Sequence, residues 1–162
     1  MNISRTEIMD GVALNYLQSF KFKTACMSVS MLTQLSRETA AMNALIPFVL
    51  RRGTVGYPDM DAVSARLDEL YGTAVEPLVR RMGEIQCIGF FASFPEGQFL
   101  PDNQDVLRDT AGLIGQFLLS PNTKGGLFLP EYVNSERDKM LDTIRARVNN
   151  KRSYAAVRCI EE

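Results

Sequence analysis

Apolar and polar residues change their spacing along this chain, and the changes order its elements. "VALNYLQ" (12–18) and "FKFKTACMSVSML" (20–32) show partial two-residue alternation, which predicts strands within the first 35 residues. In "FKFKT" the phenylalanines and lysines would lie on opposite faces, as in a sheet with one wet side. The period then lengthens. Met42, Leu45, Ile46, Val49 and Leu50 form the stripe of a helix that Ser36 or Thr39 could cap and Gly53 could end. Pro47 lies inside it, where the missing N–H should bend the helix or mark its first turn. A second helix is predicted in "YPDMDAVSARLDELYG", capped by Asp59 or Asp61, lined by Val63, Leu67 and Leu70, and closed by Gly72.

Alternation returns in "AVEPLVRR" and "EIQCIGFFASF", two strands joined as a hairpin at Met82–Gly83, with Pro77 marking the first as an edge strand. Three helical stretches follow. "NQDVLRDTAGLIGQFLLSP" is amphipathic and stops at Pro121, and "NTKGGLF" makes a helix-to-helix turn. "LPEYVNSERDKMLDTIRARVNN" carries Tyr132, Val133, Met140, Leu141 and Ile144 on one side, and "SYAAVRCIEE" runs to the C-terminus. This order predicts an α+β fold, a mostly antiparallel sheet with helices packed on one face, as a single domain over residues 1–162.

Composition narrows the function classes. A net charge of −1 leaves no basic excess for a nucleic-acid surface. No apolar run reaches the roughly 20 residues that span a bilayer. The N-terminus lacks the basic-then-apolar pattern of a secretory signal, so a cytoplasmic location is expected. Cys26, Cys87 and Cys159 are odd in number and widely spaced, which predicts reduced, mostly buried thiols rather than a disulfide frame or zinc knuckle. The chain has no histidine. A serine or cysteine nucleophile would therefore lack its usual base. "NTKGG" is not followed by the Gly-Lys-Ser/Thr of a phosphate loop.

The run "LRRGTVGYPDMDAVSARLDELYG" resembles the segment that follows the metal helix in the M16 metallopeptidases, the pitrilysin and mitochondrial processing peptidase group. "FLLSPNTKGGLFLPEYVNSERDKMLDTI" is similar to the helix pair that supplies the last zinc ligand there. In that family an inverted His-x-x-Glu-His motif precedes the Gly-Thr. Registered on Gly53–Thr54, the resemblance places Ala44 and Phe48 at the two histidines, Pro47 at the general base and Glu136 at the glutamate ligand. Two imidazoles four residues apart on one helical face hold the zinc, and the carboxylate between them takes a proton from the bound water. Alanine, proline and phenylalanine can do neither. Glu136 alone would be a helix-surface glutamate beside Arg137, and Phe48 is expected to be buried where a metal and its water would sit.

The proline before "VLRRGT" and the "SYA…RCIEE" segment resemble a bacterial zinc-less branch of that family, made of two similar halves and encoded beside an active homologue. The resemblance implies that this chain is the N-terminal part of one half, with no cofactor and no enzymatic activity. It further implies a non-catalytic chamber-wall role beside a zinc-bearing M16 homologue. A structural or protein-interaction role unrelated to peptides is the alternative. Peptide addition to the strand around 74–81 is doubtful, because Pro77 lacks a donor and Arg80–Arg81 charge the edge. Uncovered apolar residues of the sheet and the last helix (Tyr154, Val157 and Ile160) predict a homodimer using residues 150–162 and one sheet edge.

Overall fold

A computed structural model describes residues 2–101 and 104–161 of the chain. The fold is α+β, and among the described residues the strands fall into three antiparallel sheets rather than one. The first is a hairpin of β1 (Asn2–Met9) and β2 (Val12–Gln18). β1 had no clear signature, because its apolar residues Ile3, Ile8 and Met9 do not alternate. The second sheet has the order β3-β5-β4, formed by β3 (Thr24–Gln34), β4 (Ala74–Met82) and β5 (Ile85–Pro95). β4 and β5 form the expected hairpin, and Pro77 sits on an edge strand, where its missing N–H costs no ladder bond. The third, β6 (Thr123–Lys124) with β7 (Leu127–Phe128), turns at Gly125–Gly126 where a plain helix-to-helix turn was expected.

β3 begins only at Thr24, so the "FKFK" run lies ahead of the strand and Phe20 is 84% exposed. Along β5 the side chains of Phe90, Ala92 and Phe94 are buried on one face. Their direct partners on β3 are Val29, Met27 and Ala25, and Val75 of β4 lies opposite Ala92. Three helices cover this face: α1 (Ala40–Leu50), α2 (Met60–Glu69) and α3 (Val106–Leu119). They contribute Leu50, Val63, Leu67, Val106, Leu113, Ile114 and Phe117 to one core, with Leu70 just beyond α2. The Phe90 and Phe117 rings meet at 5.4 Å between centroids, a tilted contact worth about 0.5–1.5 kcal/mol beyond its buried area. Gly89 is required within β5. Its φ is +154°, and a Cβ there would lie 2.0 Å from the Val29 carbonyl oxygen.

Asp59 caps α2 as expected, its side chain accepting from Ala62 N at 2.8 Å. Thr39 occupies the N-cap of α1 without a side-chain cap bond, and α1 runs on through Pro47, which is buried late in the helix rather than in its first turn. Met42, expected on the apolar stripe, is exposed. Arg66 of α2 binds Glu69 at 3.0 Å and Asp109 of α3 at 3.2 Å. The hydrogen bond to Glu69 leads in raising its guanidinium above the ordinary arginine value, against the opposing effect of burial.

α4 (Pro130–Ala146) packs against α1, and α5 (Lys151–Glu161) follows a short 3₁₀ turn. Leu141 and Ile144 of α4 are exposed, so the apolar side predicted for this helix is only partly used. Tyr154 and Val157 of α5 are exposed, and the side chain of Ile160 lies outside the described residues, as does Asn103. Of the three cysteines only Cys87 is buried; Cys26 lies on the outer face of β3 and Cys159 on α5, both exposed. Among the described residues no helix is long and apolar enough to cross a membrane.

Candidate functional site

The seam between α1 and α4 brings together two of the residues singled out from the sequence, Phe48 and Glu136. Residues 44 and 48 are four apart and so share a face of α1. Phe48 lines a cleft of about 200 Å³ together with Glu136, Lys139, Met140 and Thr143 of α4. Ala44 is half-buried and Pro47 buried, and neither lines that cleft. Phe48 is only partly covered, contrary to the expectation that it fills a closed space. The ring is one wall of the cleft, and α4 supplies the rest of its lining.

Glu136 departs furthest from its expected surface position. It is 8% exposed, although its neighbour Arg137 turns outward to Asp138. Arg52, two residues beyond α1, donates from Nη1 to Glu136 Oε1 at 3.2 Å, and Lys139 Nζ donates to the same oxygen at 2.7 Å. Burying a carboxylate without partners would be costly, and two cations offset that cost. The Arg52 guanidinium also lies 5.0 Å from the centroid of the Tyr132 ring, one turn before Glu136 on α4. One arginine thus grips two successive turns of the same helix.

The "RRGT…YP" motif builds the loop that aims Arg52. Thr54 is fully buried; its N–H donates to the Tyr57 carbonyl at 2.7 Å, and its hydroxyl accepts from Tyr57 N at 3.0 Å and donates to Gln116 Oε1 at 3.3 Å. Gly53 is needed because a Cβ there would lie 2.8 Å from the Pro58 carbonyl oxygen. That oxygen accepts from Asn122 Nδ2 at 3.0 Å and from the Tyr132 hydroxyl at 3.2 Å. Arg51, beside Arg52, reaches Glu76 on β4 at 3.5 Å. At the other end of α1, the buried Gln86 of β5 donates to the Ala40 carbonyl at 2.8 Å and accepts from Asn43 Nδ2 at 3.3 Å. The helix is therefore pinned at both ends.

These residues do not fit a zinc ion. Alanine, proline and phenylalanine supply no ligand atom, and the one carboxylate in the seam is bonded to two protein cations. Among the described residues no group of three or more His, Cys, Asp or Glu could hold a metal. Sequence reasoning missed Arg52, Lys139 and Tyr132 as members of this cluster. Lys139 carried a usable signal, since residues three apart on a helix are neighbours. Arg52 carried none beyond its place in the motif.

Comparison with known proteins bears on the fold and on the broad family. No protein-family profile matches the chain. It is 32% identical over 152 residues to the "Probable inactive metalloprotease YmfF" of Bacillus subtilis (strain 168), a match covering 94% of this chain and 36% of that protein. Among solved structures, a conserved protein from Enterococcus faecalis V583 superposes with a TM-score of 0.86 at 24% identity, over 96% of this chain and 36% of the other. This second likeness bears on the fold alone. The chain spans about a third of the length of both proteins, and the first of them supports a metalloprotease-like family.

Proposed function

We propose that this chain is part of a catalytically inactive M16-type half, which serves as a non-catalytic partner and chamber wall for a zinc-bearing homologue in peptide processing. The observation that carries this reading is the chemistry of the α1–α4 seam. Registered on Gly53–Thr54, the family's two histidines and its general base would fall on Ala44, Phe48 and Pro47, which carry no reactive side chain, and the carboxylate of Glu136 is held by Arg52 and Lys139. A relative named "Probable inactive metalloprotease" supports it. The scaffold is kept and the reactive groups are replaced, as in a subunit retained for shape and contacts.

Two features of the surface favour a partner over a direct role in holding peptide. The outer edge of β4 carries Pro77, and Arg81 folds back onto Gly83 and Glu84 at the hairpin turn, which discourages strand addition there. Apolar side chains of the β1–β2 hairpin and of α5 stand exposed, surface that a partner or further chain would cover.

The test is affinity isolation of the tagged protein from its native source, with metal analysis of the purified chain. A zinc-bearing homologue recovered in stoichiometric amount, together with a metal-free chain that cleaves no unfolded peptide, is the expected result. About one zinc per chain, lost on Glu136→Ala, would contradict the reading.

A further inference from the structure

We propose that Arg52, Lys139 and Glu136 form an internal cation clamp that takes the place of a metal ion in this seam. The clamp joins the loop after α1 to α4 and sets positive charge where a divalent cation would otherwise be drawn. The position assigned to that metal rests on the M16 reading; the clamp itself rests on the geometry.

A metal ion bound between two helices performs two jobs, cross-linking its ligands and neutralising their charge. Both are done here by side chains of the chain itself. Arg52 supplies the cross-link, reaching Glu136 at 3.2 Å and Tyr132 at 5.0 Å from residues far apart in sequence. Lys139 completes the neutralisation from within α4, at 2.7 Å. The two cations share Oε1, so a single carboxylate oxygen faces two positive charges. Any divalent cation approaching Glu136 meets like charge from both. Lys139 is well exposed, so its part of that repulsion is weakened by solvent; Arg52 is three-quarters covered and keeps more of its own.

The arrangement is fixed from the backbone up. The backbone that carries Arg52 is held in place, because the next residues are tied down. Gly53 sits against the Pro58 carbonyl, and Thr54 is bonded on both its N–H and its hydroxyl. Pro58 in turn accepts from Tyr132, the residue whose ring Arg52 covers. The motif that resembles the flank of a metal helix therefore works here as the mount for an arginine.

Two measurements separate the clamp from the reading beneath it. The first is a double-mutant cycle of Arg52→Ala and Glu136→Gln on the present chain, followed by chemical denaturation. Coupling that changes the unfolding equilibrium constant by about fivefold or more is expected for a partly buried charge pair. Additive effects would overturn the clamp. The second is zinc titration of Ala44→His/Phe48→His, with and without Lys139→Ala, on variants whose circular dichroism matches the parent. Zinc binding should tighten by about tenfold or more when Lys139 is removed, and Glu136→Gln should abolish that gain. Equal zinc affinity with and without Lys139 would overturn the charge-exclusion part of the proposal. If no folded histidine variant binds zinc while the cycle shows coupling, the clamp is upheld and the M16 registration of α1 is what fails.

Discussion

The β1–β2 hairpin and the β3-β5-β4 sheet are both antiparallel, both rich in apolar residues, and opposite in what they do with them. Every residue of β2 is exposed, including Val12, Leu14, Tyr16 and Leu17. In β5, by contrast, Phe90 and Ala92 are completely buried and Phe94 nearly so. The difference is not in the ladder, which is continuous in both apart from one irregularity near Glu7–Met9. It lies in what covers the sheet. Three helices seal one face of β5, whereas the hairpin packs mainly on itself, and a two-stranded ribbon alone is marginally stable in water. Strand pairing and core formation are thus separate events, and hydrophobicity contributes to stability only where another element arrives to bury it.

That contrast can be broken or sharpened by substitution. Phe117→Ala in α3 should have the largest effect, about 3–5 kcal/mol by chemical denaturation, because the ring is fully buried against Phe90. A loss below about 1 kcal/mol would mean that the helical layer does not seal the sheet. Gly89→Ala comes next, at about 1–3 kcal/mol, since the added carbon meets the Val29 carbonyl and the backbone angle disfavours any side chain. A thermal midpoint equal to the parent's would show that β3 and β5 separate there without cost. Phe48→Ala should cost about 1–2 kcal/mol, less than a closed core position would, because the ring is one wall of an open cleft. A larger loss would imply that the cleft closes in solution. Smallest of all, Leu14→Ser on the hairpin should stay within about 0.5 kcal/mol. If it destabilised by more than about 2 kcal/mol, the hairpin would have to be packed against something in solution.

The legible parts of this fold were those with local causes. Asp59, Val63, Leu67 and Gly72 delimit α2 through a cap, a stripe and a terminator lying within one short segment. The β4–β5 hairpin and the edge position of Pro77 follow from alternation and a missing donor. What could not be read depended on tertiary approach. The division into three sheets has no local signature, and the exposure of Cys26 depends on which face of β3 the helices choose. Glu136 shows the limit most clearly. Its own surroundings, Ser135, Arg137 and Asp138, read as a solvated helix surface, and its burial involves groups from across the seam, Arg52 and Phe48. In the candidate site, the residue types at 44, 47 and 48 and the three-residue spacing of Glu136 and Lys139 were visible in the sequence, whereas the reach of Arg52 across the seam required coordinates.

The seam also orders events in time. Arg52 and Glu136 are 84 residues apart, and Pro58 is 74 from Tyr132 and 64 from Asn122, whereas the β4–β5 ladder closes around a single turn. Loop-closure entropy delays contacts of large separation until the intervening chain has condensed, so α4 should dock after the β4–β5 hairpin has formed. Substitutions in the seam then act on the exit from the native state rather than on the way in. Glu136→Gln is expected to speed unfolding severalfold in stopped-flow experiments and to leave the refolding rate nearly unchanged. A refolding rate that fell in proportion to the stability lost would instead place the seam in the nucleus, with the helix guiding assembly from the start.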